Sequence, residues 1–330
     1  MVISSVIPSV HEEYSHQTKL SDVTDEEFDN VFSQPKFKWS HRLYQFLCFI
    51  LFLGPIRLLV GVICFSFCMI IVYFTRVGVK FLGLYPHNKV IDAFCVQIIR
   101  IGFRFLFFAF GVIWIQVNGK IDNEARFVIS NHVSLIDLLA ILILRNVTFV
   151  ISKDFPSNSF FRTVCNSFEP FYVSKLSSGV QKQIIDNADD NDKYPVLLFP
   201  EGTTTNGEAL LQFQKQAFLT PYKVQPMLIR YSLPLVPPGW NTVSYTNQSI
   251  LGYIWQLISL LFCIIYVDAI QSISMEAEGK ADIDTFTTNA QIIFANHLKT
   301  KAISRSKDDI PNPKDMQPLN QKNSKKEKRS

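Results

Sequence analysis

Residues 43–74 carry a single charge, Arg57. An apolar run of that length has to lie in lipid or in a core, because water cannot solvate it cheaply. It divides into two uncharged arms, 43–56 and 58–74, around Gly54-Pro55 and Arg57. Neither arm reaches the roughly 20 residues of a comfortable membrane span. Bases stand outside both ends: Lys36, Lys38 and Arg42 before, Arg76 and Lys80 after. The positive-inside rule then puts both ends on the cytosolic side. A re-entrant helical hairpin bent at Gly54-Pro55 meets this condition; one long tilted span is the rival. Composition agrees with lipid contact, since 48% of residues are hydrophobic, 29 are Phe and only 18% are charged.

Residues 91–110 continue the apolar pattern, interrupted by Arg100 and Arg104 at i, i+4 on one helix face. The pattern suits an interfacial helix with arginines at the headgroups, and equally a helix of a domain core. From Val112 the period changes to that of strands. Candidate strands at 112–117, 126–130, 147–152, 170–174, 195–199, 224–230 and 263–270 alternate with candidate helices at 134–145, 158–167, 177–188 and 251–262. A last helix is expected at 283–300. The alternation predicts an α/β domain with a mixed, largely parallel sheet flanked by helices, and an N-terminal hydrophobic membrane anchor. The layout is then a disordered acidic tail over 1–41, anchoring helices over 42–110, a catalytic domain over 111–300 and a disordered basic tail over 301–330. Residues 1–30 hold seven acids and one base, Lys19, and do not read as a secretory signal.

In such a domain, functional loops sit at the carboxyl ends of strands. His132 follows the strand run 126–129 and precedes a helix in which Asp137 falls in the first turn. Ser134 is a suitable N-cap, with Asp137 at the capping-box position. A loop at His132 lets the two side chains converge. A carboxylate on one imidazole nitrogen fixes the tautomer and leaves the other nitrogen as a base. Asp137 as a mere cap and His132 as an ordinary loop residue is the plainer alternative. The other five histidines lie in the tail, at the membrane entry, in a turn or on the last helix.

The second stretch is Phe199-Pro200-Glu201-Gly202-Thr203-Thr204-Thr205-Asn206-Gly207, at another strand end. Its glycines let backbone approach a ligand, and its hydroxyls and amides suit an anion such as phosphate. Taken together, SNHVSLID over 130–137, FPEGTTTNG over 199–207 and Val224-Gln225-Pro226 resemble the glycerolipid (PlsC-like) acyltransferases. The branch most resembled is that acting on lysophosphatidylcholine and lysophosphatidylethanolamine, over roughly 105–300. The resemblance implies an acyl-CoA-dependent transfer of a fatty acyl chain to the free hydroxyl of a lysophospholipid. In it His132 is the general base, Asp137 orients it, and Glu201, Gly202, Thr203 and Thr204 belong to the acceptor site. The family commonly places an Arg after the strand matching 170–173; Lys175 stands there, with Lys153 the second candidate for a phosphate. Lys supplies charge without the planar fork of Arg. A glycerol-3-phosphate or lysophosphatidic acid acyltransferase, or a non-catalytic scaffold of the same fold on endoplasmic reticulum or lipid droplets, are the alternatives.

Other chemistries find no support. There is no GxSxG elbow for a serine acyl-enzyme, no metal-ligand spacing among the six Cys and no DxDxDG calcium loop. No cofactor is expected beyond acyl-CoA as co-substrate. A net charge of +4 is too small to indicate nucleic acid. The expected partners are acyl-CoA, a lysophospholipid and a membrane. Lys326 and Lys328 match a KxKxx retrieval pattern, with a plain solvated tail the alternative; the expected location is the endoplasmic reticulum membrane, with the domain facing the cytosol, and lipid droplets are the second candidate.

Overall fold

The computed structural model describes residues 17–34, 37–51, 53–81, 89–152, 166, 168–173, 178–190, 193–240, 243–274 and 282–310. Its centre is a seven-stranded sheet of β1 (Val112–Gly119), β2 (Phe127–Ile129), β3 (Thr148–Ser152), β4 (Phe171–Val173), β5 (Val196–Leu198), β7 (Val224–Ser232) and β8 (Cys263–Ala269). The order is β1-β8-β7-β2-β5-β3-β4. Within it β7 and β8 pair antiparallel, and the other pairings are parallel. The mixed, largely parallel sheet expected from the alternation is therefore present. A two-stranded parallel sheet of β6 (Ala209–Leu210) and β9 (Lys301–Ala302) lies apart from it.

The central strands are apolar on both faces, as strands covered on two sides must be. On β2, Phe127 and Ile129 face one core while Val128 faces the other; on β5, Val196 and Leu198 oppose Leu197 in the same way. Each such side chain removed from water contributes about 1.5–3 kcal/mol. One face is covered by α6 (Ser178–Asp189) and α8 (Ile283–Leu298). The other is covered by α4 (Lys89–Ala109), α5 (Ile136–Leu144) and part of α3 (Leu53–Phe81), together with α7 (Ile250–Ile258). The parallel pairing of β2 with β5 and β7 places their carboxyl ends along one edge, beside the amino end of β8.

The apolar block folds differently from the expected hairpin. Helix α2 (Trp39–Ile50) ends at Leu51, and α3 runs on for 29 residues from Leu53, through Gly54-Pro55 and Arg57. Proline in a first helical turn loses no intrahelical hydrogen bond, so Pro55 opens the helix where a bend was expected. Arg57 is satisfied by carbonyls: Nη1 donates to Leu261 O at 2.9 Å, and Nη2 to Ile258 O and Leu260 O just past α7. The antiparallel partner of α3 is α4. A Cβ at Gly61 would collide with Ala109 and the Phe105 carbonyl, and one at Gly102 would press on Phe65, Cys68 and Met69.

Helix α4 belongs to the domain as much as to the anchor. Cys95, Val96, Ile99, Phe103 and Phe107 are buried in the same core as Ile136, Leu197 and Met227, whereas Phe94, Ile101, Phe105 and Phe108 are exposed. Arg100 turns inward, its Nε donating to Leu142 O at 2.8 Å at the end of α5. The boundary expected at 110 thus cuts through a packed unit. The expected tails are also shorter than drawn. Residues 17–34 include α1 (Asp25–Asn30), capped by Thr24, and Phe28 is buried under it with Leu211 and Ile303. Ser21 bridges to Ile303, and Asp25 pairs with Arg305 at 2.5 Å. Most of the helix expected at 158–167 lies outside the described residues, as do 1–16 and 311–330.

Candidate active site

The site grows from the end of β2. Ser130 N–H donates to Leu198 O at 3.2 Å, carrying the pairing with β5 one residue further. Asn131 then uses its side chain as a strand would: Nδ2 donates to Ile229 O at 3.0 Å and Oδ1 accepts Ile229 N–H at 2.8 Å. The chain leaves the sheet at His132, whose backbone is gripped on both sides by the loop after β5. His132 N–H donates to Glu201 Oε1 at 3.0 Å, and His132 O accepts Thr205 N–H at 3.0 Å. The imidazole stacks on the Phe199 ring, with centroids 4.0 Å apart and planes at 16°.

Asp137 meets this ring from the first turn of α5. Its Oδ2 lies 3.0 Å from His132 Nδ1 and also accepts Val133 N–H and Ser134 N–H, both at 2.7 Å. Its Oδ1 accepts the hydroxyl of Tyr231. Asp137 is fully buried, whereas the His132 side chain retains 19% exposure. With Nδ1 on the carboxylate, Nε2 is the nitrogen left for chemistry, and no hydrogen bond occupies it among the described residues. The expected Ser134 cap is replaced: the N-cap position is Leu135, with no side-chain cap bond. Ser134 Oγ instead donates to Val243 O at 2.8 Å and contacts Tyr253 Oη at 2.5 Å. Asp137 performs the reach back to the backbone that a capping box requires.

Glu201 faces inward. Its second oxygen accepts Leu211 N–H at 3.2 Å, and the side chain has no exposed surface. Burial pushes its carboxyl up to about 8, against the lowering effect of the two backbone donors, and the nearby Asp137 charge adds to the rise. Gly202, at φ +70°, turns the chain back so that its N–H donates to Phe199 O at 3.0 Å. That left-handed conformation is open to glycine without steric cost. Thr203 is half-buried, and its hydroxyl makes no hydrogen bond among the described residues. Thr204 Oγ1 donates to Tyr245 O at 2.6 Å, and Tyr245 N–H donates to Val133 O at 2.9 Å. Asn206 reaches the N-terminal segment, its N–H to Val31 O and its Nδ2 to Asn30 O, both at 2.8 Å.

His132, Asp137, Glu201, Gly202, Thr203 and Thr204 therefore converge, whereas Lys153 and Lys175 lie outside the described residues. Among the described residues no group of three or more His, Cys, Asp or Glu is placed to hold a metal ion.

Residues 105–237 match the family model named Acyltransferase. This segment is similar to the acyltransferase family. It contains both the His132 loop and the Glu201 loop, and β7 with Tyr231. The chain is 35% identical over 153 residues to lysophospholipid acyltransferase LPEAT2 of Arabidopsis thaliana, covering 44% of this chain and 28% of that protein. It is 26% identical over 220 residues to lysophosphatidylcholine acyltransferase 1 of Danio rerio, covering 62% of this chain and 41% of that one. The chain thus spans less than half the length of these two relatives. The crystal structure of the 1-acyl-sn-glycerophosphate acyltransferase PlsC from Thermotoga maritima superposes with a TM-score of 0.48 at 16% identity, over 75% of this chain and 98% of that one.

Sequence reasoning missed three members of this candidate site. Tyr231 ends the apolar run of β7 without any local motif. Phe199 reads as a strand residue and serves as a stacking surface. Asn131 stands just past the strand run 126–130 and serves as a strut to Ile229.

Proposed function

We propose that this acyltransferase domain transfers a fatty acyl chain from acyl-CoA to the free hydroxyl of a lysophospholipid. The observation that carries the proposal is the His132–Asp137 pair: Nδ1 is tied at 3.0 Å to a buried carboxylate while the ring keeps a face toward solvent. Nε2 would take the proton of the acceptor hydroxyl as its oxygen attacks the thioester carbonyl. The proton would then pass to the departing CoA thiolate, so that the products are a diacyl phospholipid and CoA thiol. Asp137 would stabilise the imidazolium between those steps.

The surroundings suit an amphiphilic acceptor. Tyr253, which contacts Ser134, sits on α7, and the outer face of that helix exposes Ile250, Leu251 and Trp255. Phe49 of α2 packs on Trp255 with ring centroids 5.6 Å apart. Exposed apolar residues continue along α3, whose segment Leu53–Thr75 is long and apolar enough to cross a membrane. An acceptor resident in a leaflet would meet His132 from that side. Gly202 and Thr203 would face its phosphate, with Lys175 or Lys153 supplying charge. The endoplasmic reticulum, with the site toward cytosolic acyl-CoA, is the location proposed.

The test is an assay of the membrane-bound protein with labelled oleoyl-CoA and a panel of lysophospholipids, with glycerol 3-phosphate and lysophosphatidic acid as rivals. His132→Ala should lower turnover roughly 10²–10⁴-fold with the protein still membrane-bound. Wild-type activity in a folded His132→Ala protein would eliminate the scheme.

A further inference from the structure

The two oxygens of Asp137 are held by different parts of the fold. Oδ2 receives His132 Nδ1 and two backbone amides from the same loop, all within 3.0 Å. Oδ1 receives the hydroxyl of Tyr231, which arrives from β7, 94 residues along the chain. The amides alone would fix one oxygen and leave the carboxylate plane free to swing about it. The phenol fixes the second point, and with it the direction in which Oδ2 faces the imidazole. Burial and the adjacent Asp137 charge push the Tyr231 hydroxyl well above the ordinary phenol range, so it remains a donor throughout the working pH range.

We propose that Tyr231 is a positioning residue of the acyl-transfer site, setting through Asp137 both the orientation and the proton affinity of His132. The physical argument concerns charge. A hydrogen bond to Oδ1 draws part of the carboxylate's negative charge away from the imidazole. Without it, Oδ1 loses the hydroxyl it accepts, inside a fully buried side chain. The charge then acts more fully on His132 and favours the imidazolium, so a higher pH is needed to free Nε2.

The other groups facing this pair are Glu201 from the loop after β5, Tyr253 from α7 and the Cys263 thiol at the start of β8. Glu201 titrates near 8 and Tyr253 is raised. Both are common to the wild type and to a Tyr231 variant, so the difference between the two reports the phenol.

The inference rests on the acyl-transfer reading for its consequence, so its test includes an arm that needs no activity. Exchange of the His132 C2 proton for deuterium, followed by mass spectrometry on the full-length protein in detergent micelles, gives a titration midpoint for that ring. Tyr231→Phe keeps the ring and removes the hydroxyl. It should move the midpoint upward by roughly half a pH unit or more. In the acyl-transfer assay the acid limb of kcat should move in the same direction, with the acceptor KM unchanged. Replacing Tyr231 with 3-fluorotyrosine, a stronger donor of the same shape, should move both the other way. An unmoved midpoint in both variants, or a shift in the same direction in both, overturns the proposal. A midpoint that moves as expected in a protein without acyltransferase activity upholds the Tyr231–Asp137–His132 coupling and rejects the acyl-transfer reading.

Discussion

Glu201 Oε1 accepts the backbone N–H of His132 at 3.0 Å, and its other oxygen accepts Leu211 N–H at 3.2 Å. One buried carboxyl thus joins the loop after β2, the loop after β5 and the start of the chain leading away from β6. His132 is held at its backbone by this contact and at its ring by Asp137. The two tethers come from different elements, so the ring position depends on the tertiary fold as well as on the SNHVSLID stretch.

The raised carboxyl of Glu201 gives a pH dependence with a definite sign. Its ordinary value is 4.5 and its folded value is about 8. Between those pH values the folded protein retains a proton that the unfolded chain releases. Stability from this group therefore falls as pH rises from about 4.5 to about 8, by up to about 1.4 kcal/mol per unit. Glu201→Gln cannot titrate and should flatten that slope. Its amide nitrogen would also face one backbone N–H without accepting it, so its stability at pH 5 should be lower by about 1–3 kcal/mol. Melting curves at pH 5 and pH 8 decide the matter: equal slopes in the two proteins would mean that Glu201 is already ionised in the fold.

Much of this was legible in the sequence, for identifiable reasons. The seven strands of the main sheet show as apolar runs because their central members are covered on both faces. His132 and Glu201 were both expected at strand ends, and they are found there because a parallel sheet delivers such ends to one edge. The hairpin bend at Gly54-Pro55 was misplaced because proline reads as a breaker, although in a first helical turn it costs nothing. The folding of residues 17–34 was hidden because acidic composition says nothing of one buried ring, Phe28. Tyr231 was hidden because its partner lies 94 residues away, and no local pattern encodes that contact.

The N-terminal segment supports the site from outside. Phe28 is 1% exposed, with the Arg305 guanidinium 4.1 Å from its ring centroid. It shares a cluster with Leu211, whose N–H holds Glu201. Residues just after it hold Asn206 through two carbonyls. Phe28→Ala should cost about 3 kcal/mol by emptying the cluster. Amide exchange over 199–211 should then quicken and turnover should fall, with His132 untouched. Unchanged exchange in that loop would show that the segment only covers the surface.

Lys175 occupies the position at which the family resemblance expects a phosphate-binding Arg. If it holds the acceptor phosphate, Lys175→Ala should raise the acceptor KM more than it lowers kcat. Lys175→Arg should be tolerated or bind more tightly, because a guanidinium meets phosphate with two donors. An unchanged KM in Lys175→Ala would transfer the role to Lys153.

The exposed face of α3 makes the last prediction. Leu59, Ile63, Phe67, Ile70 and Phe74 are between 52% and 66% exposed. Their spacing of three and four residues puts them on one stripe. The opposite face, with Gly61, Cys68, Met69 and Val72, packs against α4 and the domain. More than half of each side chain in the stripe lies at the surface, so charging it should leave the fold intact. If it lies in lipid, each lysine near the middle of the helix should cost about 2.5–3.5 kcal/mol of membrane binding. Ile63→Lys with Phe67→Lys should then shift the membrane partition by more than roughly 10³-fold, allowing for some snorkelling of the two amines. Flotation of the doubly substituted protein with vesicles of neutral phospholipid, beside a melting curve, separates binding from folding. An unchanged melt with the protein left at the bottom of the gradient places the stripe in the bilayer. Flotation equal to wild type would show that α2 and α7, with Phe46, Phe49 and Trp255, carry the attachment without it.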